Sequence, residues 1–210
     1  MTNEQIIELA EQRCKAHAVL LQLKRGEYLF REGDTPDSLY LIERGIVKVS
    51  QTTTEGDYVT FFLRSDGEST GLTEAVLGRK RLRHAQCLTD CAVHRLPSEI
   101  IGELMSEPAI AHGLLLKLST SFLKMQENFT GLSRLSVASR LKSLLRHFAK
   151  VREDGLWDVA LPITHEEISN VIGCSRQKTT ELLSTWKREG LVQYSRDRFV
   201  VIDWAAMEAC

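Results

Sequence analysis

The chain has 210 residues, enough for one large domain or two small ones, each with its own core. Hydrophobic residues make up 43% and charged residues 26%, an ordinary globular composition, and no apolar run approaches the ~18 residues a membrane span needs. Net charge is −1, so any affinity for nucleic acid has to come from local positive charge.

The start, Met1-Thr2-Asn3-Glu4, lacks the basic residues of a signal peptide, and a cytoplasmic protein without membrane attachment is expected. The five cysteines (Cys14, Cys87, Cys91, Cys174 and Cys210) are odd in number and scattered, which does not read as a disulfide framework.

In chain order, residues 1–17 carry a helical pattern through Ile6, Ile7, Leu9 and Ala10. From about Leu20 to Leu96, short apolar stretches alternate with turn-rich segments: Tyr28–Phe30, Leu39–Ile42, Ile46–Val49, Val59–Leu63 and Ala92–Leu96. Turns are expected at Arg31–Asp34, Glu43–Gly45 and Thr54–Asp57. Many short strands with regular turns predict an all-β sandwich or barrel.

Pro97-Ser98-Glu99 opens a helical section, and Pro108 marks a break or a new first turn. Beyond it Leu114, Leu115, Leu118, Phe122, Leu123 and Met125 recur at spacings of three and four, extended by Leu132, Leu135 and Val137, with Gly131 a weak point. One helix of about 28 residues, roughly 40 Å long, outgrows a small domain and is expected to pair with its copy. A second amphipathic helix is expected over 137–151, ended by Arg152-Glu153-Asp154-Gly155.

The last module begins near Leu161. Thr164-His165-Glu166-Glu167 fits a capping box, with Ile168 and Val171 as the buried face. Ile172-Gly173-Cys174 reads as a tight turn. Ser175 caps a helix from Arg176 to Arg188, with Thr179, Leu182, Leu183 and Trp186 inward, stopped by Gly190. Leu191–Tyr194 and Phe199–Ile202, around a Ser195–Arg198 turn, read as a β-hairpin. Helix, turn, helix, hairpin is the order of a winged helix-turn-helix.

The second of these helices would place its first turns in the major groove. Arg176 suits guanine O6/N7 and Gln177 suits adenine N6/N7. Thr180 suits a thymine methyl, and Glu181 a cytosine amino group or Arg176 itself. Thr164, Ser175, Lys178 and Lys187 are the candidates for phosphate contact, which positions without specifying. Segment 175–188 holds four cations against one carboxylate, locally basic in a near-neutral chain.

Nearly the whole chain resembles the CRP/FNR family of bacterial transcription regulators. The first half carries Leu23-x-x-Gly26-x-x-Leu29-Phe30-x-x-Gly33-Asp34-x-x-Asp37-x-Leu39-Tyr40-Leu41-Ile42-x-x-Gly45-x-Val47-Lys48-Val49, like that family's cyclic-nucleotide-binding-type β-roll. Ile168-x-x-Val171-Ile172-Gly173-Cys174-Ser175-Arg176-x-x-Thr179 is similar to its recognition unit. The resemblance implies an α+β fold with a β-roll (jelly roll) sensor at 1–107, a dimerisation helix at 108–136 and a winged helix-turn-helix at 137–210. It implies a homodimer on near-palindromic promoter DNA, an effector at the β-roll, and contact with RNA polymerase.

Two departures bear on the effector. Members that bind cAMP carry Gly-Glu and Arg-Ser pairs; here Leu72 follows Gly71, and Arg83-His84-Ala85 sits near the Arg-Ser-Ala position. Only Cys14 lies near the N-terminus, so no four-thiolate iron–sulfur cluster is expected. Glu181 also stands where members usually have Arg. No cofactor is identified. The run Arg79, Lys80, Arg81, Arg83 is either a solvated loop or, with Gly71, Leu72 and His84, a pocket for a small anion.

His84-x-x-Cys87-x-x-x-Cys91-x-x-His94 has the look of a metal set, yet Thr89-Asp90 reads as a hairpin turn that makes both cysteines strand residues. No metal site is expected. A thiol- or metal-dependent redox sensor and a protein-interaction module remain alternatives. No nucleophile–base set or phosphate-cradling loop points to an enzyme.

Overall fold

A computed structural model of the protein describes residues 1–54, 58–195 and 198–209. Glu55–Asp57 of the expected Thr54–Asp57 turn, the tip of the hairpin at Arg196 and Asp197, and the side chain of Leu132 lie outside the described residues. Two compact units, Met1–Glu127 and Asn128–Cys210, make up the chain.

The first unit starts with α1 (Asn3–Ala16), opened by a capping box between Thr2 and Gln5. Then come β1 (Val19–Leu23), β2 (Tyr28–Phe30), β3 (Ser38–Arg44), β4 (Val47–Thr52), β5 (Tyr58–Arg64), β6 (Ser69–Thr70), α2 (Leu72–Leu77), β7 (His84–Cys87), β8 (Cys91–Pro97) and α3 (Ser98–Leu104). The strands form two antiparallel four-stranded sheets, β1-β8-β3-β6 and β2-β7-β4-β5, so the expected β-roll within an α+β architecture is present.

β3 explains why Leu39–Ile42 reads as an unbroken apolar run rather than an alternating one. Successive side chains of a strand point to opposite faces, and both faces of this one are buried. Tyr40 and Ile42 join Leu29, Phe30, Val47, Ala85, Cys87, Cys91 and Val93 inside the roll. Leu39 and Leu41 join a second core with Ala10, Cys14, Leu72, Leu96, Ile101, Leu104, Ile110 and Leu114.

That second core seats the start of α4 (Pro108–Arg134), a helix of 27 residues against the expected 28 or so. Gly113 lets α1 approach: a Cβ there would lie 2.5 Å from the Ala10 Cβ and 2.6 Å from the Ile6 carbonyl oxygen. Leu115, Leu118, Phe122, Leu123 and Met125 are exposed. Leu135 and Val137 do not continue the stripe. Ser136 takes an extended conformation (ψ 155°) and caps the next helix, accepting a hydrogen bond from the Ser139 amide.

The second unit contains α5 (Val137–His147), β9 (Ala149–Val151), β10 (Trp157–Val159), α6 (His165–Ile172), α7 (Arg176–Arg188), β11 (Val192–Tyr194), β12 (Phe199–Val201) and α8 (Trp204–Ala209). Its strands order as β11-β12-β10-β9. The expectation of one helix over 137–151 is corrected here. The helix stops at Phe148 and Ala149–Val151 pairs antiparallel with β10, so Arg152–Gly155 is the hairpin turn, closed by the Arg152 amide to the Leu156 carbonyl at 2.8 Å. The buried face of α6 is Ile168, Ser169 and Ile172 rather than Ile168 and Val171.

Candidate nucleic-acid interface

α6 and α7 owe their ends to local side-chain chemistry. The Thr164 hydroxyl accepts from the Glu167 amide at 3.1 Å, and the Glu167 carboxylate accepts from the Thr164 amide at 2.9 Å. α6 ends at Gly173 in the left-handed region (φ +66°). Ser175 then caps α7, accepting from the Lys178 amide at 3.2 Å. Such caps contribute about 1 kcal/mol each.

A residue that sequence reasoning passed over locks this turn. From α5, Arg140 donates through Nε to the Ile172 carbonyl at 2.6 Å and through Nη2 to the Gly173 carbonyl at 3.0 Å. A third bond reaches the Leu135 carbonyl at 2.7 Å. Orphan carbonyls at a helix C-terminus need such donors. The sequence signal was absent, because an arginine in an amphipathic helix reads as a solvated residue.

Thr179, Leu183 and Trp186 anchor α7 inside the unit, and Leu182 is half-buried. The opposite face carries Arg176, Gln177, Thr180 and Glu181, all exposed. Arg176 and Gln177 make no side-chain hydrogen bond among the described residues. Glu181 pairs with Lys178 at 3.1 Å, not with Arg176. Thr180 is held on both sides, donating to the Arg176 carbonyl at 3.0 Å with its oxygen 3.0 Å from His165 Nδ1.

The hairpin β11–β12 stands beside this face. Its Tyr194 ring packs on Phe199 (5.7 Å between centroids), meets His165 edge-on (5.6 Å, 62°), and carries Lys187 Nζ 5.1 Å from its centre. Burial and the neighbouring Arg176 hold the His165 imidazole below its ordinary pKa. An open cleft of about 340 Å³ is lined by Thr164, His165, Tyr194 and Ser195 over Ile163 and Phe199. Phosphate candidates Thr164, Ser175, Lys178 and Lys187 are all exposed around α6 and α7. His165 and Tyr194 are members of this surface that sequence reasoning missed. The position of His165 directly after a helix cap was the available signal.

In the first unit, the candidate anion residues part company. Arg81, not Arg83, faces Gly71. It is fully buried, donates to the Gly71 carbonyl at 2.7 Å and to the Ser38 carbonyl, and lies 4.3 Å from the Phe30 ring centre. Burial lowers its pKa, opposed by Glu74. Its Nε and the Ser38 hydroxyl have no partner among the described residues. Leu72 is buried in the helical core, Arg83 lies over Phe61 and Phe62, and Arg79 is exposed. His84 accepts at Nδ1 from the Glu32 amide (3.2 Å) and sits 2.9 Å from the Thr52 hydroxyl at Nε2. Of the candidate arginines, Arg81 is the one that turns inward. Strand β7 starts at His84, and Arg81 precedes it on the loop held by Gly33 and Asp34.

Among the described residues, no three His, Cys, Asp or Glu side chains converge as a metal set. His84 is tied to Glu32 and Thr52, and His94 to Glu43. Cys87 and Cys91 are each 1% exposed. Cys91 Sγ hydrogen-bonds to the carbonyls of Ile46 (3.6 Å) and Thr89 (3.3 Å), and burial pushes the Cys87 thiol up; both sit in the roll's apolar core, away from solvent oxidants.

Residues 20–107 match the cyclic nucleotide-binding domain and residues 130–210 the Crp-like helix-turn-helix domain. The global nitrogen regulator of Synechococcus elongatus is 28% identical over 193 residues, covering 89% of this chain and 86% of that one. A transcriptional regulator of the CRP family from Thermus thermophilus is similar in structure, with a TM-score of 0.75 at 23% identity over 90% of this chain and 95% of its own. The c-di-GMP responsive global regulator CLP of Xanthomonas campestris gives 0.71 at 19% over 93% and 99%.

Proposed function

Because this chain belongs to the CRP/FNR family of transcription regulators, we propose that it reads near-palindromic promoter DNA through α7, one helix of a homodimer per half-site. Half-sites about one helical turn, ~34 Å, apart fit such a dimer. The observation that carries the reading is the outward face of α7. A capped helix anchored by Thr179, Leu183 and Trp186 presents Arg176, Gln177, Thr180 and Glu181 to solvent. Thr164, Ser175, Lys178 and Lys187 flank them as phosphate contacts.

Dimerisation through α4 is supported by the exposed row Leu115, Leu118, Phe122, Leu123 and Met125, which a single small domain leaves without a partner. Work on promoters implies a cytoplasmic protein that contacts RNA polymerase. For the effector, the best-supported place is the interior of the roll beside Arg81, Ser38 and Gly71, where buried Arg81 Nε and Ser38 Oγ are available to a small anion. The CLP regulator, by its name, responds to c-di-GMP, itself an anion.

Selection of tight binders from random duplexes tests the reading and yields the operator. Arg176→Ala is expected to cost about 1–3 kcal/mol on the selected duplex and to relax preference at one base position. Unchanged affinity and preference would remove Arg176 from the base-reading set.

A further inference from the structure

We propose that His165 is a positioning residue for base recognition. Together with the Arg176 carbonyl it holds the Thr180 hydroxyl against the protein, so that Thr180 offers its methyl group to the groove and reads the C5-methyl of one thymine per half-site. The inference rests on α7 being the DNA-reading helix.

A threonine hydroxyl has one proton and two lone pairs. At Thr180 the proton is engaged by the Arg176 carbonyl at 3.0 Å, the i to i−4 bond open to threonine in a helix. The contact with His165 Nδ1, also 3.0 Å, then needs the ring to donate, which assigns the Nδ1–H tautomer. A ring held below its usual pKa by burial and by Arg176 is neutral near pH 7 and has that single proton to give.

The imidazole is itself fixed. Tyr194 meets it edge-on, and Tyr194 rests on buried Phe199. The order of support thus runs from the hairpin through Tyr194 to His165 and on to Thr180. Threonine in a helix divides between two χ1 rotamers; two hydrogen bonds to one oxygen select one of them. A hydroxyl whose proton is engaged has none to donate to guanine N7 or O6, or to thymine O4. The methyl remains, on an exposed residue, and apolar contact with the thymine methyl is a major-groove readout. Thr179 next to it is buried and takes no part.

Thymines of the selected half-site, replaced one at a time by deoxyuridine, lose only that methyl. The readout is the ratio of Kd on the uracil duplex to Kd on the thymine duplex, which is independent of the fraction of protein that is folded. Wild-type protein is expected to show a ratio of about 3 to 10 at one position and about 1 elsewhere, at the low end of what one methyl group discriminates. Thr180→Val keeps the methyl and is expected to keep the ratio. Thr180→Ser keeps the hydroxyl and is expected to lose it. His165→Ala lowers the ratio, and His165→Gln, which retains an N–H donor, restores it. A wild-type ratio near 1 at every thymine, or an undiminished ratio in Thr180→Ser or His165→Ala, overturns the proposal. A selection that returns no preferred duplex is a different failure, that of the DNA-reading assignment, and is visible before any thymine is replaced.

Discussion

Arg140 Nε lies 2.6 Å from the carbonyl oxygen of Ile172, the last residue of α6. One guanidinium on α5 thereby fixes the turn from which α7 departs. Arg140→Met keeps much of the stem and deletes all the donors, leaving the Ile172 and Gly173 carbonyls without this partner. Loss of hydrogen bonds from a charged donor predicts a destabilisation of about 1.5–3 kcal/mol, read as a lower denaturant midpoint at unchanged slope. DNA affinity is expected to fall further than stability alone explains at temperatures where the variant is folded.

The exposed row on α4 predicts a charge-sensitive association. Phe122 is 52% exposed in the isolated chain, and a Phe122→Glu pair brought together in a dimer would bury two like charges. Sedimentation is expected to show wild-type dimer and variant monomer at micromolar concentration, with the variant's thermal midpoint lowered and no longer dependent on protein concentration. Dimer persisting in Phe122→Glu and in Leu118→Glu would place the interface elsewhere.

Gly71 carries a sharp steric prediction. Its φ is +84°, and a Cβ would lie 2.6 Å from Arg81 Nη1. Gly71→Ala combines a left-handed backbone strain of about 1–2 kcal/mol with displacement of the buried guanidinium. A loss of about 2–4 kcal/mol, of which part is the buried arginine's lost bond, is expected in urea unfolding. Gly78, also left-handed but with open space around it, is expected to lose only the backbone share when changed to Ala.

Stability of the C-terminal unit is expected to depend on pH through His165. Its folded pKa is depressed by burial and by Arg176, so the unfolded chain takes up a proton first. The contribution is complete above the unfolded value near 6.5 and is lost as pH falls through the folded value. The thermal midpoint should therefore drop on going from pH 7.5 toward 5, and His165→Gln should flatten that part of the curve. An identical slope in the variant would assign the dependence to other groups.

Salt dependence separates two kinds of contact on α7. Lys187→Gln is expected to reduce the slope of log K against log salt by about 0.9 for each phosphate contact removed, that is twice per dimer, without changing the preferred sequence. Arg176→Ala should change the preferred sequence, with a smaller effect on slope. The two variants compared on the selected duplex and on a scrambled one provide the measurement.

Much of this architecture is legible in the sequence because it is set locally. Caps at Thr164 and Ser175, the Gly173 turn and the hairpin strands each depend on residues within a few positions, and the bounds of α7 follow from them. What resists reading depends on contacts distant in the chain. Nothing near Arg140 announces that Ile172 needs a donor. Arg81 and Arg83 differ only in which side of a loop they take, a choice made by the carbonyls of Ser38 and Gly71 far from them in sequence. Ala149–Val151 continues a helical period by composition, and its pairing with Trp157–Val159 is what makes it a strand. His165 and Tyr194 meet only because the hairpin folds back over the start of α6.

Strand β3 gives the first unit a mechanical property. Alternate residues on it belong to opposite cores: Tyr40 and Ile42 line the roll's interior near Phe30, while Leu39 and Leu41 touch the layer that seats Ile110 and Leu114 of α4. It works as a shared partition with packing on each side at crystal-like density. A molecule that displaced Tyr40 by a fraction of an ångström would move the Leu39 and Leu41 backbones with it. The roll's interior and the core that seats the root of the long helix thus share one segment of seven residues.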